Sequence, residues 1–389
     1  MKLLWLASWY PSALFPFDGD FIHRHAMATS LFCDIEVIHV IKDENAVFTK
    51  DVKEIISNKN RLTERIIYYK PLQTSIVFID RLLSSLKYKK VYRNAVKKYI
   101  ADHGRPSFIH LHIAMKAGLT ALWIKRKYKI PYILSEQWGG YLENARPNIK
   151  DYNFIYRYYW RKIITEAMAG TFVSVVLQNE LIRNYKIKNT VVIPNVVDTE
   201  MFFPLQKQTD DTLHLIHIST MVYQKNTEGI LEALSLLKND CSFDMHLYGT
   251  INAALEKSIE ELELQNHVFV KGEVSHTLLS KAIQKADALV LYSRYETFGC
   301  VLIEANACGI PVIVSDLEVF HEIVEEGVNG IFVPGENARA LAEKLRGFVQ
   351  QRNRFDKDLI AANAAEKYNY KKVGQQFFQL YNRLTTNLP

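Results

Sequence analysis

The sequence predicts two Rossmann-like α/β domains, and three observations support this fold class. It has 389 residues, of which 48% are hydrophobic, which is enough apolar material for two cores. Short apolar runs typical of buried strands alternate with longer segments of helical periodicity, as expected of parallel sheets covered by helices. After the polar stretch QKQTDD this alternation begins again with LHLIHIST. We therefore expect a first domain over residues 1–205, a second over 206–370, and a last helix, 371–389, that crosses back to the first domain.

The composition favours a cytoplasmic protein, either free or peripheral on the inner face of the cytoplasmic membrane. Four cysteines include no CxxC pair and no zinc-ligand spacing, so we expect reduced thiols. They are Cys33, Cys241, Cys300 and Cys308. The apolar start MKLLWLASWY is followed by PSALFPFDGDF, which lacks a signal-peptide cleavage pattern, so a buried first strand fits better. The sequence has no run of about 18 apolar residues, the length that would predict a membrane span.

The first domain begins with the strand KLLWLAS and a loop from Trp9 to Phe21, before a helix that contains His23, Arg24 and His25. In a doubly wound sheet the loop after a central strand meets the ligand. Further strands are predicted at 35–41, 66–71, 107–113, 171–177 and 190–193 and in PYILSEQWGGY, with a helix at 152–168.

The strand SFIHLHI places His110 and His112 on one face and apolar residues on the other. We expect one of the two histidines to reach a site at the end of the strand and the other to be buried and hydrogen-bonded. The strand in PYILSEQWGGY ends in a polar loop with two glycines, which is typical of the edge of a site.

A basic helix is predicted between Arg81 and Ile100, where no acidic residue occurs. Its basic residues are Arg81, Lys87, Lys89, Lys90, Arg93, Lys97 and Lys98. They alternate with the apolar residues Leu82, Leu86, Tyr88, Tyr92, Val96 and Tyr99. Helical spacing separates a basic face from an apolar one, so the basic face is either solvated or in contact with anionic lipid headgroups or an anionic acceptor. Nucleic acid is not expected as a partner, because no nucleic-acid-binding motif accompanies the helix.

The second domain repeats the alternation of strands and helices. Strands are predicted at 243–248, 267–271, 288–292, 311–314 and 331–333. Helices are predicted at 252–263, 276–285 and 299–308, and then at 338–350, 357–367 and 371–386.

Two carboxylates straddle a strand-to-helix turn in ETFGCVLIEANACGIPVIVSD. Glu296 lies before the predicted helix, and Glu304 lies about 7 Å along its axis if the helix begins near Gly299. A carboxylate there can accept hydrogen bonds from vicinal hydroxyls such as those of a ribose. Gly299 lets the backbone approach a ligand, and the amides from Phe298 to Val301 can bind hydroxyls or phosphate.

The loop STMVYQKN follows the first strand of the second domain and ends in Lys225 and Asn226, directly before a helix. A lysine at a helix start supplies a point charge to a phosphate while the helix amides donate hydrogen bonds. A single lysine is more often solvated. Its position in the same sheet as the Glu296 segment favours a diphosphate-binding role.

These segments together resemble glycosyltransferase family 4. The resemblance rests on YPSALFPFDGDFI, HLH, SEQWGGY, IPNVVD, the KN pair at 225–226, ETFGCVLIEANACGIPVIVSD and EEGVNGIFVPG. It implies the GT-B fold, in which two Rossmann-like domains face each other across a cleft that closes on the substrate. It also implies a retaining transfer from a nucleoside diphosphate sugar without a metal ion or other cofactor.

The resemblance also implies individual roles. Glu296 and the backbone of 297–299 would hold the donor sugar, Glu304 the ribose and Lys225 the diphosphate. Gly19 would let the first domain approach the diphosphate, and the base would lie near Gly249 and Gly272. The implied donor-binding set is Gly19, Thr220, Lys225, Asn226, Gly249, Gly272, Arg294, Glu296, Thr297, Phe298, Gly299, Cys300, Val301 and Glu304.

Two positions depart from the family pattern. Members commonly have Gly-Arg before the lysine, whereas this chain has Ser219 and Thr220, so a phosphate contact is missing unless Arg294 or another basic residue replaces it. Many members have a histidine where this chain has Gln137, which can donate a hydrogen bond but cannot act as a general base. His112 is then the remaining, weaker candidate for a proton role. The candidate catalytic residues are Glu296, Lys225, His112 and Gln137.

The function implied is transfer of a sugar, with retention, from a UDP- or GDP-sugar to a hydroxyl of a glycan or lipid-linked acceptor. Synthesis of a bacterial surface polysaccharide at the cytoplasmic membrane face is the expected context. Two alternatives remain. One is a noncatalytic GT-B subunit that binds a nucleotide sugar, and the other is a GT-B epimerase that converts the nucleotide sugar without an acceptor.

Overall fold

The computed structural model shows two sheets, one largely and one entirely parallel, that are covered by helices, which confirms the predicted pair of Rossmann-like α/β domains. The residues it describes are 2–72, 74, 76–206 and 210–386. Residues 207–209 of the predicted linker and 387–389 of the predicted last helix lie outside the described residues.

The first domain contains one mixed sheet. Its strands are β1 (Lys2–Ala7), β2 (Asp34–Lys42), β3 (Val52–Lys59), β4 (Leu62–Tyr69), β5 (Ile109–His112), β6 (Tyr132–Glu136), β7 (Ala169–Phe172) and β8 (Thr190–Val192). Its helices are α1 (Asp20–Ser30), α2 (Val77–His103), α3 (Gly118–Tyr128), α4 (Phe154–Thr165) and α5 (Val175–Tyr185). The strand order is β3-β4-β2-β1-β5-β6-β7-β8, and only the β3–β4 pair is antiparallel. The central strands β1 and β5 are buried over almost their whole length, as strands covered on both faces require.

Two elements of the first domain differ from the sequence prediction. The strand β3 was not predicted, because VKEIISNK is an exposed edge strand without a continuous apolar run. The strand predicted at 171–177 ends earlier, at Phe172, and its last residues belong to α5. The side chain of Ser174 accepts a hydrogen bond from the backbone N–H of Leu177 and so caps that helix.

The basic helix is longer than predicted and its apolar side is divided. In α2 the residues Tyr88, Tyr92 and Tyr99 are buried, as expected of a core-facing side. Leu82 and Leu86 are each 52% exposed and do not pack into the core. The apolar side of this helix therefore packs into the core only in its later turns.

The second domain contains an entirely parallel sheet. Its strands are β9 (Leu213–Ile218), β10 (Phe243–Tyr248), β11 (Val268–Gly272), β12 (Ala288–Leu291), β13 (Val312–Ser315) and β14 (Gly330–Val333). The helices that follow are α6 (Thr227–Leu237), α7 (Ala253–Glu261), α8 (His276–Ile283), α9 (Cys300–Ala307), α10 (Ala338–Gln351), α11 (Lys357–Tyr368) and α12 (Tyr370–Thr386). The strand order is β11-β10-β9-β12-β13-β14.

Both sheets have a switch point where the strand order reverses. In the first sheet β1 lies between β2 and β5, and in the second β9 lies between β10 and β12. Loops on the two sides of such a point diverge and leave a crevice at the carboxyl ends of the strands. The loops after β1, β9 and β12 are therefore the ones that the fold offers to a ligand.

The last helix, α12, packs against α1 of the first domain. The two helices touch at Gly374, where a Cβ atom would lie 2.0 Å from the carbonyl oxygen of Ala28. Phe377 and Tyr381 of α12 are buried in the core of the first domain. The chain thus returns to its first domain after completing the second.

Candidate active site

The candidate site lies where loops and helices of the two domains meet. Gly19 ends the loop after β1, Lys225 lies in the loop after β9, and Glu296 lies in the loop after β12. The domains are in direct contact here, because the guanidinium of Arg24 in α1 binds the carboxylate of Glu304 in α9 at 2.6 Å. The segment with the two carboxylates therefore faces the first domain.

Lys225 and Glu296 form an ion pair, although they are far apart in sequence. The carboxylate of Glu296 also accepts a hydrogen bond from the hydroxyl of Ser293 at 3.1 Å. Both side chains are largely buried, with 19% of the lysine and 5% of the glutamate exposed. The structure thus brings together the residues that the sequence assigned to the diphosphate and to the transferred sugar.

The loop that carries Lys225 is fixed by a buried histidine in β9. Nδ1 of His217 donates to the carbonyl oxygen of Val290 at 2.8 Å, so Nε2 is free to accept from the hydroxyl of Ser219, also at 2.8 Å. The Ser219 oxygen in turn accepts the backbone N–H of Met221 at 2.9 Å. Burial lowers the pKa of His217 to about 4, which keeps the ring neutral as this network requires.

Gly249 and Gly272, which were expected near the base, end two neighbouring strands. A Cβ atom on Gly249 would lie 1.7 Å from the carbonyl oxygen of Ser219, so no other residue fits there. Its backbone N–H donates to the carbonyl oxygen of Gly272 at 2.9 Å. A Cβ atom on Gly272 would meet nothing within 4 Å, so packing does not demand a glycine at that position.

Arg294, the candidate to replace the missing phosphate-binding arginine, is bound by groups of its own domain. Its Nε donates to Glu336 at 2.9 Å, and its Nη1 donates to Glu228 at 2.8 Å and to the carbonyl oxygen of Tyr223 at 2.7 Å. Burial lowers the pKa of Arg294, but the hydrogen bonds with the two carboxylates outweigh it, so the pKa is raised. The guanidinium is therefore occupied within its own domain, and the exposed Thr220 carries no charge.

Tyr223 forms a contact between the domains that the sequence did not indicate. Two guanidinium groups contact its ring, that of Arg294 at 4.3 Å from the ring centroid and that of Arg146 in the first domain at 4.2 Å. Beside it, the hydroxyl of Tyr295 accepts the backbone N–H of Arg146 at 2.9 Å and donates to its carbonyl oxygen at 3.0 Å. These contacts hold the loop after β6 against the loops after β9 and β12.

Glu304, the expected ribose ligand, is 3% exposed and pairs with Arg24 across the cleft. Arg24 also binds Asp20, one turn earlier in α1, at 2.6 Å. Burial lowers the pKa of Arg24, but the charges of Glu304 and Asp20 outweigh it, so the pKa is raised. Sequence reasoning missed Arg24 as a site residue, although its place in the helix directly after the Gly19 loop was a signal.

Gly19 has a φ of 66° and lies directly before α1. A Cβ atom there would lie 2.5 Å from the carbonyl carbon of Trp9 and 2.6 Å from the nitrogen of Tyr10. A glycine is thus required by the folding of this loop on itself as well as by any close approach to a ligand.

The start of α9 presents backbone more than side chains. Gly299 precedes the helix with a φ of 98°, and Cys300 is its first residue. Burial raises the pKa of the Cys300 thiol to about 12, so it stays protonated. Phe298 is buried and packs edge-on against Tyr368 of α11, with ring centroids 6.0 Å apart. Thr297 and Val301, on either side, are partly exposed.

The structure does not fit a proton role for His112. The residue is fully buried and stacks on Trp5 with ring centroids 4.0 Å apart, and burial lowers its pKa well below the usual value. His110 binds the hydroxyls of Tyr381 and Ser135 and is equally buried. Neither histidine therefore reaches the cleft.

Gln137 is directed toward a histidine that the sequence did not single out for the site. Its amide nitrogen is 3.4 Å from Nδ1 of His25 in α1. Nε2 of His25 donates to the carbonyl oxygen of Pro194 at 2.9 Å, so Nδ1 is the acceptor for Gln137. Burial lowers the pKa of His25 to about 4, which leaves the ring neutral.

The described part of the chain holds no cluster of three or more His, Cys, Asp or Glu side chains placed to bind a metal ion. Among the same residues, no helix is long and apolar enough to cross a membrane. The four cysteines are free thiols.

Two family models match the chain in regions that overlap slightly. "Glycosyltransferase Family 4" matches residues 55–201 and "Glycosyl transferases group 1" matches residues 197–368. The second match contains Lys225, Glu296 and Glu304.

Proteins similar over nearly the whole chain are glycosyltransferases. An uncharacterized glycosyltransferase of Methanocaldococcus jannaschii is 25% identical over 96% of this chain and 97% of its own length. N,N'-diacetylbacillosaminyl-diphospho-undecaprenol alpha-1,3-N-acetylgalactosaminyltransferase of Campylobacter jejuni is 24% identical over 94% of this chain and 98% of its own. The solved structure of Anabaena HepE in complex with UDP and glucose has a TM-score of 0.72, with 16% identity over 98% of this chain and 100% of that one. The chain belongs to glycosyltransferase family 4 and is a glycosyltransferase of the GT-B fold that uses nucleotide-sugar donors.

Proposed function

We propose that the protein transfers a sugar, with retention, from a UDP- or GDP-sugar to a hydroxyl of a glycan or lipid-linked acceptor. The observation that carries this proposal is the buried Lys225–Glu296 pair beside the start of α9. A cation, a carboxylate and a helix N-terminus at the carboxyl end of a parallel sheet suit a diphosphate joined to a hydroxylated ring.

Each group has a defined part in this reaction. The ammonium of Lys225 and the amides at the start of α9 bind the diphosphate and offset the charge that develops on it as it departs, without a metal ion. The carboxylate of Glu296 accepts hydrogen bonds from hydroxyls of the transferred sugar. Glu304, further along α9, accepts from the ribose.

The acceptor hydroxyl attacks the same face of the sugar that the diphosphate leaves. The bond between the anomeric carbon and the acceptor oxygen forms while the bond to the diphosphate oxygen breaks. The acceptor proton passes to the departing diphosphate oxygen, so no protein base is required. This route is consistent with the burial of His112 and with the neutral amide of Gln137.

We also propose that the protein works on a lipid-linked acceptor at an anionic membrane surface, as in the synthesis of a bacterial surface polysaccharide. Phe78, Leu82 and Leu86 of α2 recur every four residues and are 75%, 52% and 52% exposed. Lys90 continues the same spacing, and Lys97 lies on the same side of the helix. An apolar stripe that continues into lysines suits an interfacial position in an anionic bilayer. The relative from Campylobacter jejuni is named for a diphospho-undecaprenol acceptor.

A donor screen tests the proposal. Purified protein is incubated with a panel of UDP- and GDP-sugars, with and without a polyprenyl diphosphate sugar, and nucleotide release and product are measured. We expect acceptor-dependent release from one donor, and a product whose NMR coupling shows the same anomeric configuration as that donor. The Lys225→Ala variant serves as the inactive control.

Two outcomes would contradict the transfer. Tight binding of a donor without release of nucleotide under any condition indicates a noncatalytic subunit, which Thr220 and Gln137 would then explain. Conversion of the donor sugar to its epimer without an acceptor indicates an epimerase.

A further inference from the structure

Arg24 is a buried charged residue to which the proposed chemistry assigns no task. It is 7% exposed and comes from the first domain, whereas the residues assigned to the donor come mostly from the second. Its Nε is 2.6 Å from Asp20, and its Nη1 is 2.6 Å from Oε1 of Glu304. A planar guanidinium held at Nε by one carboxylate has little freedom to turn, so Asp20 fixes the direction in which Nη1 points.

Arg24 binds only one of the two carboxylate oxygens of Glu304. Oε1 is occupied by the guanidinium, while no hydrogen bond to Oε2 occurs within the ranges that the structure describes. A carboxylate with one oxygen fixed by a charged donor keeps its other oxygen in one orientation. Oε2 is therefore the acceptor that remains for a ligand in the cleft.

We propose that Arg24 is a positioning residue that orients Glu304, so that Oε2 accepts hydrogen bonds from the ribose hydroxyls of the donor. The inference rests on the proposed role of Glu304 as the ribose ligand. Recognition of the ribose then depends on both domains, because the carboxylate belongs to the second domain and its orientation is set by the first. An opposite arrangement, in which Arg24 competes with the ribose for Glu304, predicts tighter binding when the arginine is removed.

Discrimination between ribose and dideoxyribose separates these possibilities. Calorimetry measures the dissociation constants of UDP and GDP and of their 2′,3′-dideoxy forms for the full-length wild type, Arg24→Met, Arg24→Lys and Glu304→Gln. The matched control is Arg65→Met. Like Arg24, Arg65 is a buried arginine with carboxylate partners, including Glu36 at 2.9 Å. Unlike Arg24, it lies in the sheet of the first domain. The ratio of the two dissociation constants isolates the hydroxyl contacts from effects on folding or on the diphosphate.

We expect the wild type and Arg65→Met to prefer the ribose form about tenfold or more, and Arg24→Met and Glu304→Gln to lose most of that preference. Arg24→Lys should recover part of it, because an ammonium can still reach one carboxylate oxygen. If Glu304→Gln loses the preference while Arg24→Met keeps it, or if Arg24→Met binds the ribose form more tightly, the positioning role is overturned. If Glu304→Gln keeps the preference for the ribose form, or if neither UDP nor GDP binds the wild type, the proposed role of Glu304 as the ribose ligand is overturned as well.

Discussion

At the scale of single residues, the two carboxylates of the strand-to-helix turn differ in their partners. Glu296 pairs with Lys225 from its own domain, and Glu304 pairs with Arg24 from the other. Glu296 lies in a loop next to the start of α9, while Glu304 lies inside that helix. The two side chains therefore face different parts of a bound donor, and their loss should affect different steps.

We expect Glu304→Gln to weaken binding of the nucleoside diphosphate about tenfold, because it removes a charged acceptor from the ribose hydroxyls. Glu296→Gln should lower the rate of transfer about a hundredfold and change that binding less than about threefold, because its contacts are to the sugar that moves. Steady-state kinetics and calorimetry on both variants provide the measurement. The exposed Glu318, replaced by Gln, is the control. Equal and small effects of both substitutions on both quantities would refute the division of roles.

At the scale of elements, the sequence was most informative where apolar periodicity and turn residues agree. The strand predicted at 288–292 and the helix predicted at 299–308 are β12 and α9, each within one residue at either end. The pattern failed for β3, because an exposed edge strand is defined by its pairing with β4 rather than by its own apolar run. It also could not show that the first turns of α2 lie outside the core, since periodicity identifies an apolar side but not what covers it.

The exposed stripe of α2 leads to a prediction about membrane binding. We expect co-sedimentation with vesicles that contain anionic lipid and much less with neutral vesicles. Lys90→Ala combined with Lys97→Ala should weaken binding to anionic vesicles about thirtyfold, at about 1 kcal/mol per lysine. Phe78→Ser combined with Leu82→Ser should weaken it as well, because apolar area is lost from the interface.

A second pair of exposed lysines provides the control for this experiment. Lys281 and Lys285 lie in and just after α8 of the second domain, and their replacement by Ala should not change sedimentation. Binding that is the same for anionic and neutral vesicles would contradict a role for the lysines of α2. Binding to neither kind of vesicle would contradict the proposed association with a membrane.

At the scale of the whole molecule, contacts between the domains complete the candidate site. The Arg24–Glu304 bond joins residues 280 positions apart, and the carboxylate of Glu322 accepts the first backbone N–H groups of α5, at 2.8 Å and 3.1 Å. No periodicity or spacing in the sequence reports such contacts, because they depend on how two separate sheets are placed. The lysine and the two carboxylates of the second domain lie in segments that sequence motifs single out, whereas the pairing of Glu304 with Arg24 of the first domain has no such signal.

Stability of the whole molecule should depend strongly on pH through buried histidines in both domains. Burial lowers the pKa of His25, His39 and His217 to about 4. It also lowers the pKa of His110 and His112 well below the usual value. Below the unfolded pKa of about 6.5 the unfolded chain takes up protons that the folded protein excludes. The stabilising contribution is therefore complete above that pH and is lost as the pH falls toward 4.

We expect the urea midpoint of unfolding to fall between about pH 7 and pH 5.5. The free energy of unfolding decreases with a slope that approaches about 1.4 kcal/mol per pH unit for each histidine once the pH is below the unfolded pKa. His39→Phe should reduce this slope by about one proton, because the ring has a hydrogen bond only at Nδ1, to the carbonyl oxygen of Ala7, and its buried Nε2 has no partner among the described residues. His321→Gln is the control, because the side chain of His321 is 54% exposed and lies outside the buried core. A midpoint that stays constant over this range would show that the buried rings take up protons without unfolding, which is incompatible with the neutral His217 that organises the Lys225 loop.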